Sequence, residues 1–375
     1  MPQERTASAA RIVAIDALRG VALALMALDH ASFFVSAGLQ AESYGGQPVA
    51  LQSPFYWLSG LLTNLASPIF FLLGGYSLAL YAASQRRKGV GEGAITRYML
   101  IRALVILALD LTICNIFWLG STPYVHVLTT MSAAMAILSL ARFLPPRMLL
   151  SLALVALLAH QAVLALLAPS LAAGVPQALG QAFWFTYSYE TRPVIGFAVL
   201  GWGSLMWIGF AIGQWQGRPA LAWPGTWAIA GGALLALWLG LRLAGGFGDL
   251  GAFGAVGQSP AHFFVMAKAP PSLSYFAFNL GLAALLLALF LARPGPVAGE
   301  PLRHLVLIGQ VSLFFYVAHI IVYNGVARLF GLADLPGPRI VWGYAAWLIG
   351  LALLLPLCVG YRRLRKRYPQ LLTYL

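Results

Sequence analysis

Asp16, Arg19 and His30 lie in a single apolar run, from Arg11-Ile-Val-Ala-Ile-Asp16 through Leu28-Asp29-His30. A helix turns about 100° per residue, so Arg19 and His30, eleven positions apart, differ by only about 20° in azimuth. Asp16 precedes Arg19 by three residues and can pair with it. At about 1.5 Å of rise per residue, His30 stands about 16 Å beyond Arg19 and about 28 Å beyond Arg11. Such a stripe is either a structural ion pair with an interfacial histidine, or a site where a histidine takes a proton from a bound substrate. Asp29 adjoins the histidine in either case.

A second polar stripe occurs late in the chain. Ser312, Tyr316, His319 and Tyr323 fall within about 60° of one another on one helix. Counted from Arg303, His319 is about 24 Å along its axis, a depth similar to that of His30. It is either a second base or a histidine bonded to neighbouring helices. His126 beside Tyr124, and His262 among Phe263 and Phe264 ahead of Lys268, read as substrate contacts or as interfacial residues. Asp110 is a carboxylate inside an apolar helix, placed to orient a histidine or meet a substrate. His160 has no polar neighbours in sequence and reads as structural. Arg97 and Arg102, with Arg86, Arg87 and Lys88, form a cationic group suited to a multiply charged anion. No zinc-ligand spacing, phosphate-cradling glycine loop or Gly-x-Ser-x-Gly turn occurs, so no metal is expected.

The elements that position these groups follow from composition. Of 375 residues, 61% are hydrophobic and 9% charged, against about 25% charged in soluble domains. That excludes a water-soluble globule and a soluble nucleic-acid binder, despite a net charge of +13. A spanning helix needs about 20 mostly apolar residues. Ten segments qualify, at 12–36, 58–83, 98–119, 125–142, 147–168, 194–214, 223–244, 272–292, 303–327 and 339–361. The predicted fold class is all-α, a polytopic integral membrane bundle forming one domain over 1–375.

Basic residues alternate loop by loop. Arg5 and Arg11, Arg86 to Arg97, Arg142 and Arg147, Arg218, Arg293 and Arg303, and Arg362 to Arg367 share one side. Arg192, Arg242, Lys268, Arg328 and Arg339 fall on the other. The positive-inside rule then puts both termini in the cytoplasm. The first segment is no signal peptide, because Asp16, Arg19, Asp29 and His30 interrupt it. The aromatic connector 169–193 reads as a membrane-interface belt. Cys114 and Cys358 fall at opposite depths and are not expected to pair.

Asp-x-x-Arg19-Gly20 followed by His30, ten residues lying between Arg19 and His30, resembles the first-helix signature of the transmembrane acyltransferase superfamily. Three later stretches are similar to bacterial members of the heparan-α-glucosaminide N-acetyltransferase catalytic-domain family. They are Ser67-Pro-Ile-Phe-Phe-Leu-Leu-Gly74-Gly75, Lys268-Ala-Pro270-Pro271-Ser272-Leu273 and Gly309-Gln-Val-Ser-Leu-Phe-Phe-Tyr316-Val-Ala-His319. Arg19-Gly-Val-Ala-Leu-Ala-Leu-Met26 resembles the heparan enzyme too. That enzyme, however, carries its catalytic histidine in the loop before the second helix, and residues 31–59 hold none. His30 stands where the acyltransferase-three pattern has its histidine.

The resemblance implies acyl transfer, of acetyl above all, from cytoplasmic acyl-CoA to an extracytoplasmic or membrane-embedded acceptor, a sugar hydroxyl or amine. His30 and His319, with Asp16, Arg19 and Asp29, would form the catalytic group. Arg97, Arg102 and Lys88 would bind the donor, and His126, His262, Lys268, Tyr316 and Asp110 the substrate. Acyl-CoA, as acetyl-CoA or another acyl-CoA, is then the co-substrate. Membrane lipid and a glycan-type acceptor are the partners, nucleic acid is not, and a homo-oligomer is compatible. The expected location is the bacterial cytoplasmic membrane. A transporter of a small molecule or lipid-linked sugar, with the same charges lining its pathway, is the alternative.

Overall fold

A computed structural model describes residues 2–39, 41–44, 51, 53–172, 179–188, 191–250, 260–300, 302–370 and 372–374. Helix α1 runs Pro2–Phe34, followed by strand β1 (Glu42–Tyr44), α2 (Pro54–Thr63), α3 (Ala66–Arg87) and α4 (Glu92–Leu109). A π-helical turn, Asp110–Cys114, joins α4 to α5 (Asn115–Leu119). Next come β2 (Tyr124–Val125), α6 (Val127–Ala141), α7 (Pro146–Ala172), α8 (Leu179–Trp184), β3 (Val194–Ile195) and α9 (Val199–Gly213). Helices α10 (Pro224–Ala244) and α11 (Leu273–Ala292) flank β4 (Met266–Ala269). The chain closes with α12 (Pro294–Ala298), α13 (Leu302–Gln310), α14 (Ser312–Leu329) and α15 (Arg339–Arg367).

Among the described residues, seven helical stretches are long and apolar enough to cross a membrane, and α6 and α9 are shorter apolar helices. Each of the ten predicted segments falls on helix, with three of them interrupted, 58–83 at Asn64–Leu65 between α2 and α3. The segment 98–119 carries the π-turn, and 303–327 breaks between Gln310 and Ser312. Among the described residues, strands are confined to two parallel pairs, β1 with β4 and β2 with β3, that tie connectors together. Exposed Leu104, Leu166, Ile229, Leu243 and Leu329 place bare apolar surface on the outside of the bundle. Such surface suits hydrocarbon, and the protein is a polytopic membrane helical protein.

Helix α1 is the centre of the packing, touching α3, α11, α13, α14 and α15. Its approach to α13 depends on missing side chains. A Cβ on Gly309 would overlap the backbone carbonyl of Asp16, and one on Gly20 the carbonyl of Leu305. Small residues that let backbones touch are the usual means of joining helices in lipid. Gly309→Ala is therefore expected to cost about 1–3 kcal/mol through overpacking, lowering the thermal midpoint in detergent. Gly325→Ala, where an added Cβ meets nothing within 4 Å, should leave the midpoint unchanged or raise it.

Candidate active site

The π-turn adds a residue to the α4–α5 helix and turns Asp110 inward. π-Bulges occur often at functional sites. Asp110 is 1% exposed. Its Oδ2 accepts from the backbone N–H of Thr129 at 2.6 Å and from the Thr129 hydroxyl at 2.8 Å. The carboxylate thus caps the N-terminus of α6, where backbone donors lack partners and negative charge is favoured. His126 is the N-cap residue of that helix and makes no side-chain cap bond of its own. Asp110 Oδ1 lies 4.0 Å from His126 Nδ1, and the Tyr316 hydroxyl lies 3.0 Å from the same nitrogen. Asp110 and His126, read separately from the sequence, stand side by side here, with Thr129 bonded to the carboxylate and Tyr316 to the imidazole.

His30 and His319 meet. Their Nδ1 and Nε2 atoms are 2.7 Å apart, with rings 4.9 Å apart and stacked. His319 Nδ1 lies 3.1 Å from the carbonyl oxygen of Phe315, one turn back on α14. A carbonyl only accepts, so His319 Nδ1 carries a hydrogen and, in the neutral ring, its Nε2 is an acceptor. His30 Nδ1 then donates to it, which leaves the lone pair on His30 Nε2. Trp118 edges the His30 ring at 4.4 Å. Both histidines are buried, at 7% and 0% exposure.

His30 lines a small chamber of about 80 Å³ together with Asp29, Thr63, Ser67, Trp118, Tyr124, His126 and Lys268. Lys268, on β4, donates to Glu42 of β1 at 2.9 Å, so the small parallel sheet brings a buried ion pair to the chamber wall. His262 is not among the lining residues; its carbonyl accepts from Arg242, which also grips Asp249. His160, read as lacking polar company, lies 2.9 Å from the Phe185 carbonyl and 3.0 Å from the Gln161 amide, a structural arrangement.

A second, larger chamber of about 240 Å³ lies along the same helices toward the end that carries Arg102 and Arg365. The break between α13 and α14 explains its polar part. Carbonyls that an unbroken helix would satisfy accept instead from guanidinium groups, Gly309 from Arg19 at 3.1 Å and Gln310 from Arg365 at 3.3 Å. Cations at a helix C-terminus are favoured by its dipole as well. Arg19 also donates to Asp16 at 2.9 Å and to Ser77 at 2.6 Å. It therefore joins α1, α3 and α13 while lining the chamber. Tyr81, Tyr98, Ser77 and Gln310 supply further polar surface. Asp16 lies in a shallow depression beside the chamber, with Arg362, Arg365 and Lys366.

Of the cations assigned to a donor from sequence, Arg102 alone lines this chamber. Arg97 and Lys88 are exposed, and Arg86 pairs with Glu92. Arg365 and Arg362, which sequence reasoning counted only toward topology, stand at the chamber instead.

Two chambers share the Phe70 side chain, one basic and one lined by the two histidines His30 and His126, with His319 bonded to His30. No curated protein sequence matches the chain. The model of the acyltransferase-three family, described as an acyltransferase domain, matches residues 12–361. With that match over nearly the whole chain, this protein belongs to the acyltransferase-three family of membrane acyltransferases.

Proposed function

We propose that the protein transfers an acyl group, acetyl above all, from acyl-CoA in the basic chamber to a hydroxyl or amine in the histidine chamber. The observation that carries this reading is the chain Phe315 carbonyl–His319–His30, which engages His30 Nδ1 and leaves the lone pair on Nε2 of a residue that lines the smaller chamber. His30 Nε2 takes the acceptor's proton as its oxygen or nitrogen attacks the thioester carbonyl. The tetrahedral intermediate collapses with loss of the C–S bond, and the imidazolium returns the proton to the departing sulfur as CoA thiol. His319 holds the tautomer and orientation of His30, and Asp110 and Tyr316 fix His126 beside them. Arg102 and Arg365 attract the donor's phosphates.

The resemblance to heparan-α-glucosaminide-type enzymes carries over the general chemistry but not the glucosamine acceptor, and the acceptor proposed is a sugar hydroxyl or amine. The basic residues of the α3–α4 connector and the end of α15 favour a cytoplasmic basic chamber, in a bacterial cell membrane. A reporter fused after Arg367 should then be active only if it works in the cytoplasm; activity confined to the outer side would reverse the orientation. To test the reaction, membranes enriched in the protein are incubated with acetyl-CoA labelled in the acetyl group. Label on a non-CoA product with an equal amount of free CoA thiol is expected. Intact acetyl-CoA after prolonged incubation, in membranes containing glycan and lipid acceptors, would contradict the proposal.

A further inference from the structure

Phe70 belongs to the linings of both chambers. Along α3, Ser67 faces the histidine chamber, while Gly74 and Ser77 face the basic one. Helix α1 runs past the same boundary, contributing His30 to one chamber and Arg19 to the other. At that boundary the Phe70 ring stacks on Tyr316, with centroids 5.5 Å apart and an interplanar angle of 22°. Tyr316 is fully buried and its hydroxyl contacts His126, so one face of the Phe70 ring is held by the histidine cluster.

The basic chamber offers both charged and apolar side chains. Arg19, Arg102, Arg365, Tyr81 and Tyr98 line the basic chamber together with Gly74, Leu128, Met131, Met135 and Met206. Phosphates therefore belong with the guanidinium groups and an alkyl chain with the methionines, whose flexible thioethers adapt to such chains. An acyl thioester entering from the basic side travels with its alkyl end leading. That end meets Phe70 before the carbonyl can approach His30, and only about 80 Å³ lies beyond.

We propose that Phe70 is the residue that sets acyl-chain length, admitting a short acyl group and excluding longer ones. The inference rests on the donor assignment above. Removing the ring joins the two chambers and makes room for an alkyl chain. Each methylene newly buried in apolar surroundings adds up to about fourfold in affinity.

The test uses binding to the purified full-length protein in detergent, measured by calorimetry with CoA, S-ethyl-CoA and S-hexyl-CoA, thioethers that cannot react. For the natural sequence, S-ethyl-CoA should bind at least as well as CoA, and S-hexyl-CoA at least tenfold more weakly than S-ethyl-CoA. Phe70→Ala should raise S-hexyl-CoA affinity by at least tenfold and leave CoA within twofold. Phe70→Leu, a milder change should the alanine variant fail to fold, should move S-hexyl-CoA the same way by a smaller factor. If CoA and S-ethyl-CoA bind but the S-hexyl ratio is the same in the natural protein and the leucine variant, the length-setting role is overturned and donor binding stands. If CoA itself does not bind the natural protein, donor assignment and length-setting role fall together.

Discussion

Replacing His30 with alanine is expected to reduce acyl transfer by about 10²–10⁴, the usual worth of general-base assistance. Expression, detergent stability and CoA binding should stay close to those of the natural protein. The expectation follows from position: His30 lines the histidine chamber, and its Nδ1 is engaged by His319. His319→Gln retains a side chain that can accept from His30, and should lose less activity than His319→Ala. A purely structural His30 would lose stability and activity together in the alanine variant. Normal folding with near-natural transfer would remove it from the mechanism.

Neutralising Arg102 and Arg365 together should weaken CoA binding by at least tenfold, since charge-assisted hydrogen bonds to phosphate are about twice as strong as neutral ones. Both residues line the basic chamber, whereas exposed Arg97 does not. Arg97→Gln should therefore bind CoA within twofold of the natural protein, with binding followed by calorimetry at fixed ionic strength. Equal losses for the double variant and for Arg97→Gln would mean that diffuse positive charge, not a chamber, attracts the donor.

Helices were the legible part of this protein, because a lipid environment forces long apolar runs and leaves few alternatives for the backbone. Interruptions within them were not. The π-turn at Asp110 and the break at Val311 occur inside runs whose hydropathy is continuous, and packing against α6, α1 and α15 creates them a use. Similar depths for His30 and His319 could be counted from flanking arginines, but their contact depends on how α1 and α14 face each other. A single sequence carries no such signal. Arg362 and Arg365 were hidden by a charge rule that accounts for every basic residue in the connectors equally well. Phe70 was masked for a related reason: a phenylalanine in an apolar helix reads as core until the two chambers that share it are seen.

Transfer of the acyl group without its carrier separates an acyltransferase from any transporter lined by the same residues. Inside-out vesicles containing the protein would receive acetyl-CoA carrying one isotope in the acetyl group and another in the adenine ring. Acetyl label should appear on an acceptor in the membrane or lumen while adenine label stays outside as CoA, and His30→Ala vesicles should show neither change. Both isotopes entering the lumen together, in the original ratio, would contradict acyl transfer at the paired histidines.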